Sequence, residues 1–256
     1  MNMGKIALVT GATSGIGEAV AISLARAGYD LIITGRRVAQ LTRVAKSIEN
    51  DFKIKVLPLS FDVRELNQVE HYLGALPSRW QEIDLLVNNA GLAVGLNSIQ
   101  QGVIDDWERM IDTNIKGLLY VSKIVSNLMI KRGSGHIINI GSIAGKDVYP
   151  NGNVYCATKH AVDALSRGMM MDLHKYNIKV SQVCPGAVET EFSMVRFKGD
   201  ADKATNVYKG FEPLVAKDIA DVVLFVATAP PHVNISDVTV MPLAQAGVSI
   251  IDKKQL

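Results

Sequence analysis

A tyrosine and a lysine stand four residues apart in Gly152-Asn153-Val154-Tyr155-Cys156-Ala157-Thr158-Lys159, a stretch with helical character. At i and i+4 on a helix the two side chains share one face. Such a pair either decorates a solvated surface or sets a cation beside a phenol, and the second arrangement is acid–base chemistry. A second chemical feature lies near the N-terminus, in Thr10-Gly11-Ala12-Thr13-Ser14-Gly15-Ile16-Gly17. It follows an apolar run and opens an amphipathic one. Glycines there permit a tight turn and let backbone N–H groups approach a pyrophosphate at a helix N-terminus, where the dipole favours negative charge. The spacing is Gly-x-x-x-Gly-x-Gly rather than the usual G-x-G-x-x-G, so a plain glycine turn is the alternative. Position at the first strand–helix junction favours a dinucleotide.

The end of the second strand indicates which one. An NAD enzyme places an acid there, about 20 residues on, to accept hydrogen bonds from the ribose 2′-hydroxyl. This chain reads Thr34-Gly35-Arg36-Arg37 instead, and Asp30 lies at the wrong end of that strand. Two guanidiniums can hold a 2′-phosphate through charge-assisted, often bidentate bonds. The competing reading is two exposed arginines at a helix start, a place where positive charge is disfavoured. NADP is the expected cofactor.

These features need a scaffold, and the chain alternates short β-branched runs with amphipathic segments. Strands are expected at 6–10, 31–34, 54–60, 84–90, 136–141, 179–184 and 238–242, with helices such as 16–27, 38–49, 105–131 and 155–176. Almost wholly apolar strands imply a sheet covered on both faces. Strand–helix alternation then implies an α/β fold, a Rossmann-type doubly wound parallel sheet of about seven strands. No linker, charge block or repeat divides the 256 residues, so one domain over 1–256 is expected. Regularity fails between Ala187 and Gly210, where a long irregular segment reads as a lid. The tail from Gly247 to Leu256 is polar and basic without a readable period: either disordered or reaching a neighbouring subunit.

Composition narrows the function. With 27 basic and 25 acidic residues the formal charge is +2, which argues against nucleic acid or a membrane surface as partner. No apolar run approaches a membrane span, and the chain enters its first strand with no signal peptide ahead of it. Two cysteines give no disulfide framework and suit a reducing cytoplasm. Cys156 is expected to pack beside Tyr155 rather than to act in redox control, and Cys184 to lie in the core. The five histidines lack metal-ligand spacing, so no metal is expected.

Tyr155 and Lys159 are accompanied by Ser142 just past the fifth strand, Asn114 within the segment 105–131, and Asn88-Asn89-Ala90-Gly91 after the fourth strand. Together with TGATSGIG, Gly141-Ser142, YCATK and Pro185-Gly186, these resemble the short-chain dehydrogenase/reductase family from Lys5 to about Met241. The resemblance implies a catalytic tetrad of Asn114, Ser142, Tyr155 and Lys159. Tyr155 is then the general acid/base, Ser142 bonds the substrate oxygen, Lys159 supports the tyrosine and the nicotinamide ribose, and Asn114 holds a relay water. The alternative for Asn114 is a bond to its own helix backbone. The chemistry is self-consistent: moving a phenol from about 10 to about 7 takes roughly 4 kcal/mol, and an ammonium about 4 Å away at an effective dielectric of 20 supplies about that. By position the resemblance also assigns cofactor contacts to Gly11, Ala12, Thr13, Ser14, Gly15, Ile16, Gly17, Asp62, Val63, Asn89, Ala90, Gly91, Pro185, Gly186, Val188 and Thr190, beside Arg36 and Arg37. It implies a homotetramer through the two long helices.

Within the family, 189–200 and the stretches 76–95, 107–118, 152–155 and 231–235 are similar to the NADP-dependent 3-hydroxy acid dehydrogenase subgroup. Serine, allo-threonine or 3-hydroxypropanoate-like substrates follow, in either direction. A small carboxylate needs a cation, and Arg196 is the candidate; a solvated charge or an ion pair within the loop is its alternative. Phe192 and Phe197 either shield the closed site or anchor the loop. Two other activities stay open: reduction of a bulkier ketone or 3-oxoacyl thioester by the same tetrad, and a non-catalytic NADP(H) sensor.

Overall fold

Short β-branched runs become strands here because helices cover both faces of the sheet they form. The computed structural model describes residues 4–254. Strands β1 (Ile6–Val9), β2 (Asp30–Gly35), β3 (Val56–Ser60), β4 (Ile83–Asn88), β5 (Gly135–Ile140) and β6 (Ile178–Pro185) belong to the main sheet. The brief strands β7 (Val188–Glu189) and β8 (Leu214–Val215) pair only with each other, and β9 (Asp237–Val240) returns to the main sheet. That sheet is parallel, in the order β3-β2-β1-β4-β5-β6-β9. The order reverses between β1 and β4, the crevice where an open α/β sheet binds its ligand at the carboxyl ends of its strands. The expected doubly wound Rossmann-type architecture is the one found.

The helices are α1 (Gly15–Arg26), α2 (Val38–Phe52), α3 (Leu66–Gly74), α4 (Ile104–Ile111), α5 (Leu118–Arg132), α6 (Asn153–Leu173), α7 (Phe192–Arg196), α8 (Ala201–Asn206) and α9 (Ala216–Ala227). One face of the sheet packs Val20, Leu24, Leu41, Val44 and Val223, from α1, α2 and α9. The other packs Val69, Val121, Val125, Met129 and Leu173, from α3, α5 and α6. Fully burying each such side chain is worth about 1.5–3 kcal/mol, so the two apolar layers set the register. Both cysteines are buried and unpaired, as packing residues. Among the described residues no helix is long and apolar enough to cross a membrane.

Three expectations need correction. The helix expected over 105–131 is interrupted by a π-helical stretch, Asp112–Gly117, between α4 and α5. Asn114 and Thr113 are buried there, and a Cβ on Gly117 would strike Val63. The segment 187–210 is not irregular: it holds β7, α7 and α8, and Tyr208 fastens it by donating to the Val188 carbonyl at 2.8 Å. The described part of the tail is ordered on its own chain. Asp252 N–H donates to the Ala244 carbonyl and Lys254 N–H to the Gly210 carbonyl, both at 2.9 Å. Gln255 and Leu256 lie outside the described residues.

His136, in β5, is buried with Nε2 2.8 Å from the Ser181 hydroxyl and Nδ1 without a partner. Burial, with Lys179 nearby, pushes its pKa down to about 3. The unfolded chain takes up the proton near 6.5, so the histidine lowers stability as pH falls from 6.5 towards 3. Denaturant titrations of the parent and His136→Asn at pH 7.5 and 4.5 test this. The variant should gain on the parent by about 2–3 kcal/mol at the lower pH, two pH units at 1.36 kcal/mol each.

Candidate active site

The glycine turn is built for a close approach. Gly11 and Gly15 have φ of +66° and +56°, the left-handed region that glycine enters without strain. A Cβ on Gly17 would drive into the Gly11 carbonyl and the Asn89 carboxamide. Ser14 is the N-cap of α1 but makes no side-chain cap bond, which leaves the first N–H groups of α1 for an anion. Thr10 and Asn89 brace the turn from below. Asn89 donates to the Thr10 and Gly11 carbonyls at 2.9 and 3.1 Å, while Thr10 Oγ1 accepts from the Asn89 and Ala90 N–H groups at 3.0 Å. These features fit a dinucleotide pyrophosphate on α1.

At the end of β2 the arginines diverge. Arg37 donates to Thr13 Oγ1 and to Ser14 Oγ, and pairs with Glu191 at 3.0 Å. Arg36 leans 3.6 Å from Asp62, whose carboxylate is also gripped by Arg64 at 2.8 Å and held below its ordinary pKa. Asp30 is taken up elsewhere, accepting from Lys55 N–H at 2.7 Å and pairing with Arg79. The residues that directly follow β2 are therefore two guanidiniums rather than an acid, each with a carboxylate drawn to it from elsewhere in the chain. Val63 is buried against Gly117.

At the ends of β4, β5 and β6 the four tetrad residues converge. Tyr155 and Lys159 are each 8% exposed. Burial pushes the Tyr155 phenol up, while the Arg196 guanidinium and a hydrogen bond from Ser142 pull it down and Cys156 works against them. The Lys159 ammonium donates to the Ile140 carbonyl at 2.9 Å and is pushed by burial down to about 8. Ser142 Oγ also accepts from Ala144 N–H at 3.1 Å. Asn114 does not bond its own helix. Its carboxamide oxygen accepts from Leu92 N–H, and its nitrogen donates to the Leu92 carbonyl and to Thr158 Oγ1, at 2.9, 2.9 and 3.0 Å. A relay water would thus be held by atoms other than this side chain. Gly91 carries no Cβ beside it, since one would lie 3.3 Å from Asn114 Oδ1 and 3.8 Å from Lys159 Nζ.

Above the tetrad lies the segment that leaves β6. Gly186 has no room for a Cβ beside Gln245, which accepts from Ala187 N–H at 2.8 Å. Val188 pairs with Leu214, and Thr190 stands over Gly15. Pro185 ends β6. At the end of α7, Arg196 donates to the Tyr149 hydroxyl at 2.6 Å and lies over the Tyr155 ring, 5.1 Å from its centroid. It makes no ion pair within the loop and is not left in solvent. Tyr155 and Arg196 line a cleft that Val94, Trp107, Met110, Tyr149 and Val154 also border. Phe192 packs edge-on to Tyr155 at 5.7 Å.

Four participants escaped the sequence reading. Tyr149 holds Arg196, Glu191 holds Arg37, Thr158 holds Asn114, and Asp106, 3% exposed, meets Lys198 at 2.8 Å. Thr158, beside Lys159 in YCATK, alone carried a local signal.

A family model described as short chain dehydrogenase matches residues 5–201. The chain is 46% identical over 248 residues to an NADP-dependent 3-hydroxy acid dehydrogenase of Salmonella typhi, covering 96% of this chain and 98% of that protein. It is 41% identical over 253 residues to the enzyme of that description from Schizosaccharomyces pombe, with 98% of each covered. Among solved structures, the closed form of serine dehydrogenase complexed with NADP⁺ superposes with a TM-score of 0.90 at 42% identity, over 98% of this chain and 100% of that one. Serine dehydrogenase from Escherichia coli gives 0.81 at 38% identity, over 94% and 99%.

The arginine geometry makes a prediction. Hydrogen bonds to charged groups contribute about 1.5–3 kcal/mol each, so Arg37→Ala should weaken NADPH binding roughly ten- to hundredfold and leave NADH binding unchanged. Fluorescence titration with both cofactors reads the difference. An equal loss for both would remove the 2′-phosphate from Arg37.

Proposed function

The chain belongs to the short-chain dehydrogenase family, and from that premise we propose that this NADP-dependent oxidoreductase acts on a small 3-hydroxy acid of the serine, allo-threonine or 3-hydroxypropanoate kind. The observation that carries the substrate reading is Arg196, a guanidinium brought over the Tyr155 ring in the cleft that both residues line. A small carboxylate suits that cation, and a simple ketone or acyl thioester brings no carboxylate to meet it. The names of the similar proteins, 3-hydroxy acid dehydrogenases and serine dehydrogenase, support the same reading.

The cofactor supplies one chemistry, the acceptance or return of a hydride at the nicotinamide. Gly11, Ala12, Thr13, Ser14, Gly15, Ile16 and Gly17 would cradle its pyrophosphate on α1, and Arg36 and Arg37 would take the 2′-phosphate. Asp62 and Val63 would flank the adenine, Asn89, Ala90 and Gly91 would face the ribose, and Pro185, Gly186, Val188 and Thr190 would line the nicotinamide. In the oxidative direction Arg196 pairs with the substrate carboxylate and sets the 3-hydroxyl before Tyr155. Tyr155 Oη takes the hydroxyl proton as the C3 hydrogen leaves with its electron pair, and a C=O bond replaces the C–H and O–H bonds. Ser142 donates to the oxygen while charge develops on it. Lys159 holds the nicotinamide ribose and keeps positive charge near the phenol. In reduction Tyr155 returns the proton to the carbonyl oxygen. Asn114 fixes the frame through Leu92 and Thr158.

The same reading includes a homotetramer. Leu119 on α5, Met171 on α6 and Phe225 on α9 are exposed apolar side chains that a neighbouring copy would cover. It also places the enzyme in the cytoplasm, where two unpaired cysteines persist.

Initial rates with L-serine, L-allo-threonine and 3-hydroxypropanoate test the substrate, with NADP⁺ preferred over NAD⁺ at least about tenfold, the low end of the effect of one charged contact. Activity confined to an acetoacetyl thioester or a simple ketone overturns the small-acid reading. Tyr155→Phe should lower kcat by about 10²–10⁴ with NADPH binding intact, the usual range for losing a general acid/base. Light scattering should give four copies per particle; a monomer would remove the tetramer.

A further inference from the structure

Helix α7 turns two side chains onto the Tyr155 ring, Phe192 edge-on and Arg196 over the face. The guanidinium is caged, its carbon also lying 5.6 Å from the Tyr149 centroid and 5.3 Å from that of Phe192. Its Nε is buried without a partner, and among the described residues no carboxylate pairs with it. Asp106, the acid that lines the same space, is taken by Lys198 at 2.8 Å. An uncompensated positive charge therefore sits against the tyrosine.

We propose that Arg196 is a second cation for the acid/base step: its guanidinium, held over the Tyr155 ring, stabilises the tyrosinate for every substrate, whether or not that substrate carries a carboxylate. The inference rests on the reading of Tyr155 as the general acid/base and gives Arg196 a duty beyond substrate pairing. Arg196 acts here through Tyr155, as a positioning charge.

The groups around the phenol leave Arg196 as the durable cation. From α6 come Lys159 and the Cys156 thiol; from the loop after β5 comes the Ser142 hydroxyl. From the loop before α6 comes Tyr149, kept neutral by its own burial. Asp106 comes from α4, already paired. The Lys159 ammonium points at the Ile140 carbonyl and is lost near pH 8, whereas a guanidinium keeps its charge at any working pH. Because Phe192 and Arg196 belong to one five-residue helix, docking α7 dries the phenol and supplies its counter-charge together.

With the charge 5.1 Å from the ring centre and an effective dielectric near 20, the tyrosine midpoint should move by roughly two pH units. The experiment is an ultraviolet tyrosinate titration with NADP⁺ bound, in which subtracting Tyr155→Phe isolates Tyr155. It is repeated in Arg196→Gln and Arg196→Lys backgrounds. Arg196→Gln should raise the midpoint by about two units, Arg196→Lys should restore most of it, and the pH profile of kcat/KM for 2-butanol should move with it. An unchanged midpoint in Arg196→Gln, with loss confined to the KM of hydroxy acids, overturns the proposal and leaves Arg196 a carboxylate contact. NADPH fluorescence checks that Arg196→Gln is folded. Should it fail that check, Tyr149→Phe removes only the 2.6 Å anchor, and its midpoint must still rise. The titration needs no turnover, so silence towards every hydroxy acid would sink the substrate reading alone.

Discussion

One carboxamide holds the active site together. Asn114 spends its oxygen on the Leu92 N–H and its nitrogen on the Leu92 carbonyl and Thr158. Leu92 belongs to the loop leaving β4, and Thr158 stands next to Lys159 on α6. Three bonds of 2.9–3.0 Å thus tie the loop beside the crevice at the strand ends to the helix that carries Tyr155 and Lys159. The π-helical stretch follows from this demand. A regular helix through Asp112–Gly117 would step 100° per residue, whereas the widened turn seats Asn114 in the interior and Gly117 against Val63. Such single-turn departures are frequent at functional sites.

Around that clamp the chain buries groups that prefer water. Lys159 is as enclosed as Tyr155, and desolvation lowers its pKa because the charged form loses hydration. The fold compensates with a carbonyl at 2.9 Å and with the parallel sheet, which aims successive strand ends at one crevice. A second buried chain runs beneath, from Asn88 to Asn139, Ser166 and Gln182, crossing β4, β5 and β6. Every link in it is a hydrogen bond between side chains in an apolar layer, where an unsatisfied partner would cost about 1–3 kcal/mol. Such a network fixes one relative placement of strands and α6, and so of Tyr155.

The sheet, the glycine turn and the Tyr155–Lys159 pair were legible because each is local. Apolar strands, a strand–helix junction and an i, i+4 spacing can be read within a window of ten residues. The helices of 187–210 were not, since α7 and α8 have 5 and 6 residues, too few to show a period. The π-helical stretch was hidden for the opposite reason: the helical pattern continues through it on both sides. The arginine pair could be read, but its partner could not. Glu191 reaches Arg37 from 154 residues away, and Tyr149 reaches Arg196 from 47. Contacts of that separation exist only once the sheet has formed.

Those distant contacts also decide where the segment over the site is held. At its start, Glu191 and Arg37 form an ion pair whose side chains are 60% and 42% exposed, and pairs of that kind contribute about 0.2–1 kcal/mol. At its other end the contacts are buried. Arg196 is caged by three rings, its carbonyl accepts from Gly95 N–H at 3.0 Å, and Ser193 meets Tyr208 at 2.7 Å. Lys198 covers Asp106, a carboxylate that would otherwise be sealed in the protein without a counter-charge, a state far costlier than a lost surface pair. The segment is therefore fastened at its Arg196 end and lightly tethered at its Glu191 end. Parting Glu191 from Arg37 breaks a pair between exposed side chains, whereas opening above Tyr155 has to uncover Asp106 and empty the aromatic cage.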